Sequence, residues 1–126
     1  LSGKLWELFG FLLERERCDT DYIEKAVSLM RSEYATGIGI LEIAARLSLD
    51  RSYFSSLFRQ RMGVSPRDYL CALRLEQAAE LMLRHGQSPT TAAASVGYSD
   101  LYQFSRAFKK HFGLSPRAYC KAHQKP

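Results

Sequence analysis

Cysteine is scarce and unpatterned in this chain of 126 residues: Cys18, Cys71 and Cys120 form an odd set without CxxC spacing. That argues against a disulfide framework and a cysteine zinc site, and it fits a reducing cytoplasm. Cys120 and His123 stand three apart, but two ligands do not make a site, so no metal and no cofactor are expected. No apolar run reaches the eighteen residues that a membrane-spanning helix needs. Nor does any stretch alternate apolar and polar residues for long between turn residues, whereas patterns of period 3.6 are frequent. The fold class read from this is all-α. His85, His111 and His123 have no nucleophile or carboxylate at a telling spacing, so no catalytic constellation is supported and the chain is not read as an enzyme.

Acidic residues are missing from two long stretches. None occurs between Arg51 and Arg67, and none from Leu101 to the end. The net charge of +5 therefore hides an asymmetry. Up to Asp50 the acids outnumber Lys4, Arg15, Arg17, Lys25, Arg31 and Arg46; beyond it only Asp68, Glu76, Glu80 and Asp100 remain among many more cations. Such acid-free runs are the pattern of surfaces that face a polyanion. A solvated basic face without a partner is the plainer alternative.

The same two stretches are copies of one another. Asp50, Phe54, Ser55, Phe58, Gly63, Ser65-Pro66-Arg67 and Tyr69 match Asp100, Phe104, Ser105, Phe108, Gly113, Ser115-Pro116-Arg117 and Tyr119 at a spacing of fifty. Two copies are too few for a solenoid, so the repeat implies a pseudo-symmetric, two-lobed module. With 46% hydrophobic residues, the length suits one domain of two small subdomains.

The beginning of the chain is rich in Leu, Trp and Phe, with Trp6, Phe9 and Leu13 on a broad helical stripe interrupted by Lys4 and Glu7. It has neither an initiating Met nor a small-residue cleavage site, which makes a signal peptide a poor reading. Residues 1–19 are taken as a linker or the end of a missing upstream domain, and the stripe could pack on the domain, self-associate or belong upstream. Asp19 or Thr20 can cap the next helix, whose core positions are Ile23, Ala26, Val27, Met30 and Tyr34, with Gly37 as the stop.

A first helix-turn-helix is predicted at about 40–62. Ile40, Ile43, Ala44 and Leu47 make its short helix, and Asp50 caps a longer one from Arg51 to Met62. Phe54, Leu57, Phe58 and Met62 are assigned to the buried face of that longer helix, and Tyr53 is also placed in the core. Gly63-Val64-Ser65-Pro66 ends one helix and starts the next, a linker helix of about 65–85 with Tyr69, Leu70, Leu73, Ala78 and Leu81 inward. A second helix-turn-helix follows at about 89–112: Ser88 or Thr90 as cap, Thr91 to Val96 as the short helix, then Leu101 to Phe112 with Phe104, Ala107, Phe108 and Phe112 inward. A final helix starts at Ser115, and 123–126 is a tail.

Gly97-Tyr98-Ser99-Asp100, Phe104-Ser105-Arg106-Ala107-Phe108-Lys109-Lys110 and Phe112-Gly113-Leu114-Ser115-Pro116-Arg117-Ala118-Tyr119 resemble the C-terminal signature of AraC/XylS-family transcription regulators. The likeness extends back through Tyr69-Leu70 and Arg74-Leu75 to Ala44, covering about residues 20–122. It implies seven helices, with two helix-turn-helix subdomains on a long helix that bind adjacent major grooves of double-stranded promoter DNA. It also implies an absent upstream sensor or dimerisation domain and, in an activator, contact with RNA polymerase. Carried over by position, Arg51, Ser52, Ser55 and Ser56, and Leu101, Tyr102, Gln103, Ser105 and Arg106, fall where the family touches bases or nearby phosphates. Arg59, Lys109 and Lys110 fall where backbone contacts are common. Two departures stand out: Pro89 and Ala92 replace bulky aliphatics in the second short helix, and Ser48 stands where the second copy keeps Gly97.

Among these residues Arg106 could pair bidentately with guanine or hold a phosphate, and Gln103 could read adenine or face solvent. Serines read bases weakly, since a hydroxyl both donates and accepts. Two other functions fit parts of the sequence: a helical protein-interaction module with a basic face, and an enzyme acting on DNA with one of the three cysteines as nucleophile.

Overall fold

The computed structural model of the protein describes residues 19–123. Within them, five helices open on the same device, an Asp or Ser side chain that accepts a backbone N–H of the first turn. Asp50 starts α3 (Arg51–Met62), Ser65 starts α4 (Pro66–Arg84), Ser88 starts α5 (Pro89–Ser95), Asp100 starts α6 (Leu101–Phe112) and Ser115 starts α7 (Pro116–Ala122). Ahead of them run α1 (19–33), a 3-10 turn (Tyr34–Thr36) and α2 (Ile40–Arg46). No strand occurs among the described residues, so the all-α reading holds.

Two apolar clusters divide the molecule along α4. The first gathers Ile23, Ala26 and Met30 of α1 with Ile43, Ala44, Phe54, Leu57, Phe58 and Leu70. The second gathers Leu75, Ala78, Ala79 and Met82 of α4 with Ala92, Ala93, Val96, Phe104 and Phe108. Each cluster centres on a tilted phenylalanine pair, Phe54 with Phe58 at 5.8 Å and Phe104 with Phe108 at 5.7 Å between centroids. Burying one such ring stabilises by about 1.5–3 kcal/mol, so these pairs hold α3 and α6 onto their lobes. Ala92 and Ala93 are fully buried; the aliphatics that Ala92 and Pro89 replace are not needed, because α5 lies directly on α4.

Ser48 adopts the same left-handed backbone as Gly97, at φ 58° and 95°. The hydrogen bonds of the two turns also match: Leu49 N–H donates to Ala44 O and Tyr98 N–H to Ala93 O, both at 2.9 Å. These partners stand forty-nine apart rather than fifty, since the second turn, Val96–Asp100, holds one residue more than Leu47–Asp50. A non-glycine residue in this region bears about 1–2 kcal/mol of strain, and glycine gives back roughly 0.5–1 through its freer unfolded chain. Ser48→Gly is therefore expected to raise stability by about 0.5–1 kcal/mol, seen as a melting temperature a few degrees higher.

Four expectations change. Asp19 and Thr20 are already helical, so neither is the cap. The second short helix begins at Pro89, two residues earlier than expected, because Ser88 accepts Thr91 N–H at 3.2 Å. Met62 is exposed, at the last position of α3 before Gly63 turns the chain. Tyr53 is exposed as well, its hydroxyl bonded to Asp19 Oδ1 at 3.2 Å on the rim of α1. The stripe of Trp6, Phe9 and Leu13, together with Cys18 and residues 124–126, lies outside the described residues.

Where the lobes meet, polar groups on the backbone carry the joint. Arg74 of α4 donates through Nε to Tyr34 O at 3.0 Å and through Nη2 to Ile38 O at 2.8 Å. Tyr34 packs against both clusters. Gly97 lies so close to this corner that a Cβ there would sit 2.8 Å from Tyr34 O and 3.2 Å from Gly37 N. Arg46 adds ion pairs to Glu33 and, at 2.9 Å, to Glu42; exposed pairs of this kind contribute little.

Candidate nucleic-acid interface

A helix buried on one stripe presents what remains of its circumference. In α3 the stripe is Phe54, Leu57 and Phe58, which leaves Arg51, Ser52, Ser56 and Arg59 exposed and Ser55 half-buried. In α6 it is Phe104 and Phe108, leaving Leu101, Tyr102, Gln103, Arg106, Lys109 and Lys110 exposed and Ser105 half-buried. All twelve residues selected from the sequence thus lie on two equivalent helices, on surface not used by the cores.

Helical spacing sorts them further. Tyr102, Arg106 and Lys109, at i, i+4 and i+7, run along the middle of the outer face of α6. The counterparts on α3 are Ser52, Ser56 and Arg59. Arg106 sits over the Tyr102 ring with its guanidinium carbon 5.7 Å from the centroid, a cation–π contact that orders two otherwise free side chains. Leu101 and Ser105 lie along one edge of α6 and border a groove of about 370 Å³ shared with Ser88, Pro89, Thr90 and Arg117. Lys110 borders a cleft against α4, with Arg67, Asp68 and Cys71 opposite. The two edges and the middle of α6 therefore offer different chemistry.

Charge on these faces is left uncompensated. Among the described residues the ion pairs involve Lys25 with Asp21, Arg46 with Glu33 and Glu42, Arg84 with Glu80, and His111 with Glu76 at 3.8 Å. None of these includes Arg51, Arg59, Arg106, Lys109 or Lys110. Asp50 and Asp100, the acids nearest in sequence, are turned onto the backbone N–H groups of Ser52 and Tyr102 at 3.0 and 2.9 Å. Five cations thus face solvent on two helices whose nearest carboxylates in sequence are engaged as caps.

Some structurally decisive residues carried little signal in the sequence. Arg74 interrupts an apolar helical stripe, and that interruption is the sign that it serves buried carbonyls. Tyr98 and Cys71 meet at 3.3 Å between hydroxyl and thiol. Burial, and then the bond to Cys71, push the Tyr98 hydroxyl pKa above its ordinary value; burial likewise raises the Cys120 thiol. The Cys120 shift is opposite to the lowered pKa of a nucleophilic cysteine. Among the described residues no three His, Cys, Asp or Glu gather as a metal site, and no helix is long and apolar enough to cross a membrane.

Residues 43–122 match the family described as a helix-turn-helix domain. The raffinose operon transcriptional regulatory protein of Pediococcus pentosaceus is 38% identical over 130 residues, a match covering 97% of this chain and 47% of that protein. The chain thus spans about half the length of this curated relative. Among solved structures, a transcriptional regulator from Chromobacterium violaceum, described as having an AraC-type DNA-binding domain, superposes with a TM-score of 0.75 and 27% identity. That match covers 85% of this chain and 96% of the other. The DNA-binding domain of AdpA, solved in complex with a target DNA, gives a TM-score of 0.76 and 25% identity over 80% of this chain and 91% of its own.

Proposed function

From the premise that the chain belongs to the AraC family of helix-turn-helix transcription regulators, we propose that it binds promoter DNA sequence-specifically, with α3 and α6 in two successive major grooves. The observation that carries this reading is the repetition of one device: a capped helix with a basic face free of carboxylate pairing, present at each end of a single spacer. The nineteen residues of α4 span about 28 Å at 1.5 Å per residue. One turn of B-DNA is about 34 Å, so a spacer of this length suits two helices that enter adjacent grooves on one side.

The division of labour follows from chemistry. Arg51, Arg59, Lys109 and Lys110 hold phosphates, giving affinity and salt dependence without sequence choice. Ser52, Ser55, Ser56, Leu101, Tyr102, Gln103, Ser105 and Arg106 meet base edges or the phosphates beside them. The family and the relative named above are regulators rather than enzymes, and nothing in this role requires a cofactor. For the whole protein we further propose an upstream sensor or dimerisation part and, if it activates, contact with RNA polymerase in the cytoplasm.

Salt titration of binding to duplex DNA tests the reading. The logarithm of the binding constant should fall linearly with the logarithm of salt concentration, with a slope of about −0.9 per phosphate neutralised. Arg59→Ala is expected to weaken binding to all duplexes alike and to reduce that slope by about one. Equal and weak binding to every duplex near physiological salt would contradict the proposal.

A further inference from the structure

The two lobes share a backbone and a cap but not their surface chemistry. At the entry of α3 stand Arg51 and Ser52; at the matching positions of α6 stand Leu101 and Tyr102. Leu101 is 43% exposed and Tyr102 68%, the latter the most exposed large hydrophobic side chain among the described residues. One turn further on, Ser56 in α3 is matched by Arg106, which is stacked on the Tyr102 ring. This apolar pair is kept out of the core on an outer face that is otherwise polar and cationic, where it can meet an apolar group within a polyanion. The major groove supplies one such group, the 5-methyl of thymine.

Building on the DNA-binding reading above, we infer that Leu101 and Tyr102 form a thymine-methyl reader and that base discrimination is concentrated under α6. Ser52 and Ser56, at the positions of α3 that match Tyr102 and Arg106, carry hydroxyls that accept or donate to any base edge. The first lobe therefore anchors on phosphates through Arg51 and Arg59 while the second chooses sequence. Tyr102 is held along the helix by Arg106, so the ring and the guanidinium meet neighbouring base pairs as one unit.

Thymine-to-deoxyuridine substitution isolates the methyl group, since every Watson–Crick and groove hydrogen bond is retained. A bound duplex is first selected from a library of randomised double-stranded DNA with the chain itself, and each thymine in it is then replaced singly by deoxyuridine. Burying one methyl corresponds to about a fourfold change in affinity. The wild-type chain is expected to lose about that much at one or two thymines of one half-site and nothing in the other. Tyr102→Ser, which copies the residue of the first lobe, should bind thymine and deoxyuridine duplexes equally at one of those positions. Its circular dichroism should be unchanged, because the side chain lies outside the core.

Two results would overturn the inference: no thymine whose methyl matters, or a methyl effect that persists undiminished in both Tyr102→Ser and Leu101→Ser. Failure of the DNA-binding reading looks different, since selection would then enrich no sequence at all.

Discussion

Gly97→Ala is expected to lower the unfolding free energy by about 3 kcal/mol or more, from two separable causes. At φ 95° any L side chain is strained by about 1–2 kcal/mol. The added Cβ would also sit 2.8 Å from Tyr34 O, closer than a carbon approaches oxygen without displacement, and overpacking of this kind costs about 1–3 kcal/mol. The carbonyl cannot simply swing away, because Arg74 Nε donates to it at 3.0 Å. For a domain of this size the melting temperature should drop by about 10 °C or more. Gly113→Ala provides the comparison: its φ is 81°, yet nothing lies within 4 Å of its Cβ position, so only the backbone strain is incurred. Thermal denaturation followed by circular dichroism separates the two. Equal losses at both glycines would mean that the corner between the lobes is not tightly packed. Should the Gly97 variant still fold, its lobes would be displaced at that corner, and binding to a two-groove site should weaken more than binding to either half alone.

Arg106→Ala is expected to cost about 1–3 kcal/mol of binding to the preferred duplex and to relax preference at one base pair. Arg106 occupies the centre of the outer face of α6, and the Tyr102 ring beneath it narrows the conformations it must give up on binding. A guanidinium held in that way can present two donors to guanine O6 and N7. Measuring the variant against all single base-pair changes in a selected site distinguishes readout from anchoring. Uniform weakening across sequences would make Arg106 a phosphate ligand like Arg59.

The repeat made most of the architecture legible before any coordinates. Caps at Asp50, Ser65, Asp100 and Ser115, the stops at Gly63 and Gly113, and the phenylalanine spacing are local signals with local physical causes, and the helices they bound run as expected. Misplaced residues have a common origin. Periodicity assigns Met62 and Tyr53 to an apolar class, but whether a neighbour reaches far enough to cover them depends on where α1 ends and how it crosses α3. The corner built from Tyr34, Ile38, Arg74 and Gly97 was invisible for a related reason. Its contacts run between backbone carbonyls and residues some forty to sixty positions away, and carbonyls leave no mark in a sequence. The candidate interface residues follow from the acid-free stretches and the family resemblance, but their sorting into an edge bordering the groove beside Ser88 and Arg117, a cation–π centre and an edge facing α4 required the fold.

Hydroxyl-radical footprinting of a selected duplex, read on both strands, addresses the two-groove arrangement most directly. Two protected windows about 10 base pairs apart on the same side of the helix are expected, the one under α6 fading in Arg106→Ala while the other persists. A single window, or two on opposite sides of the duplex, would contradict it.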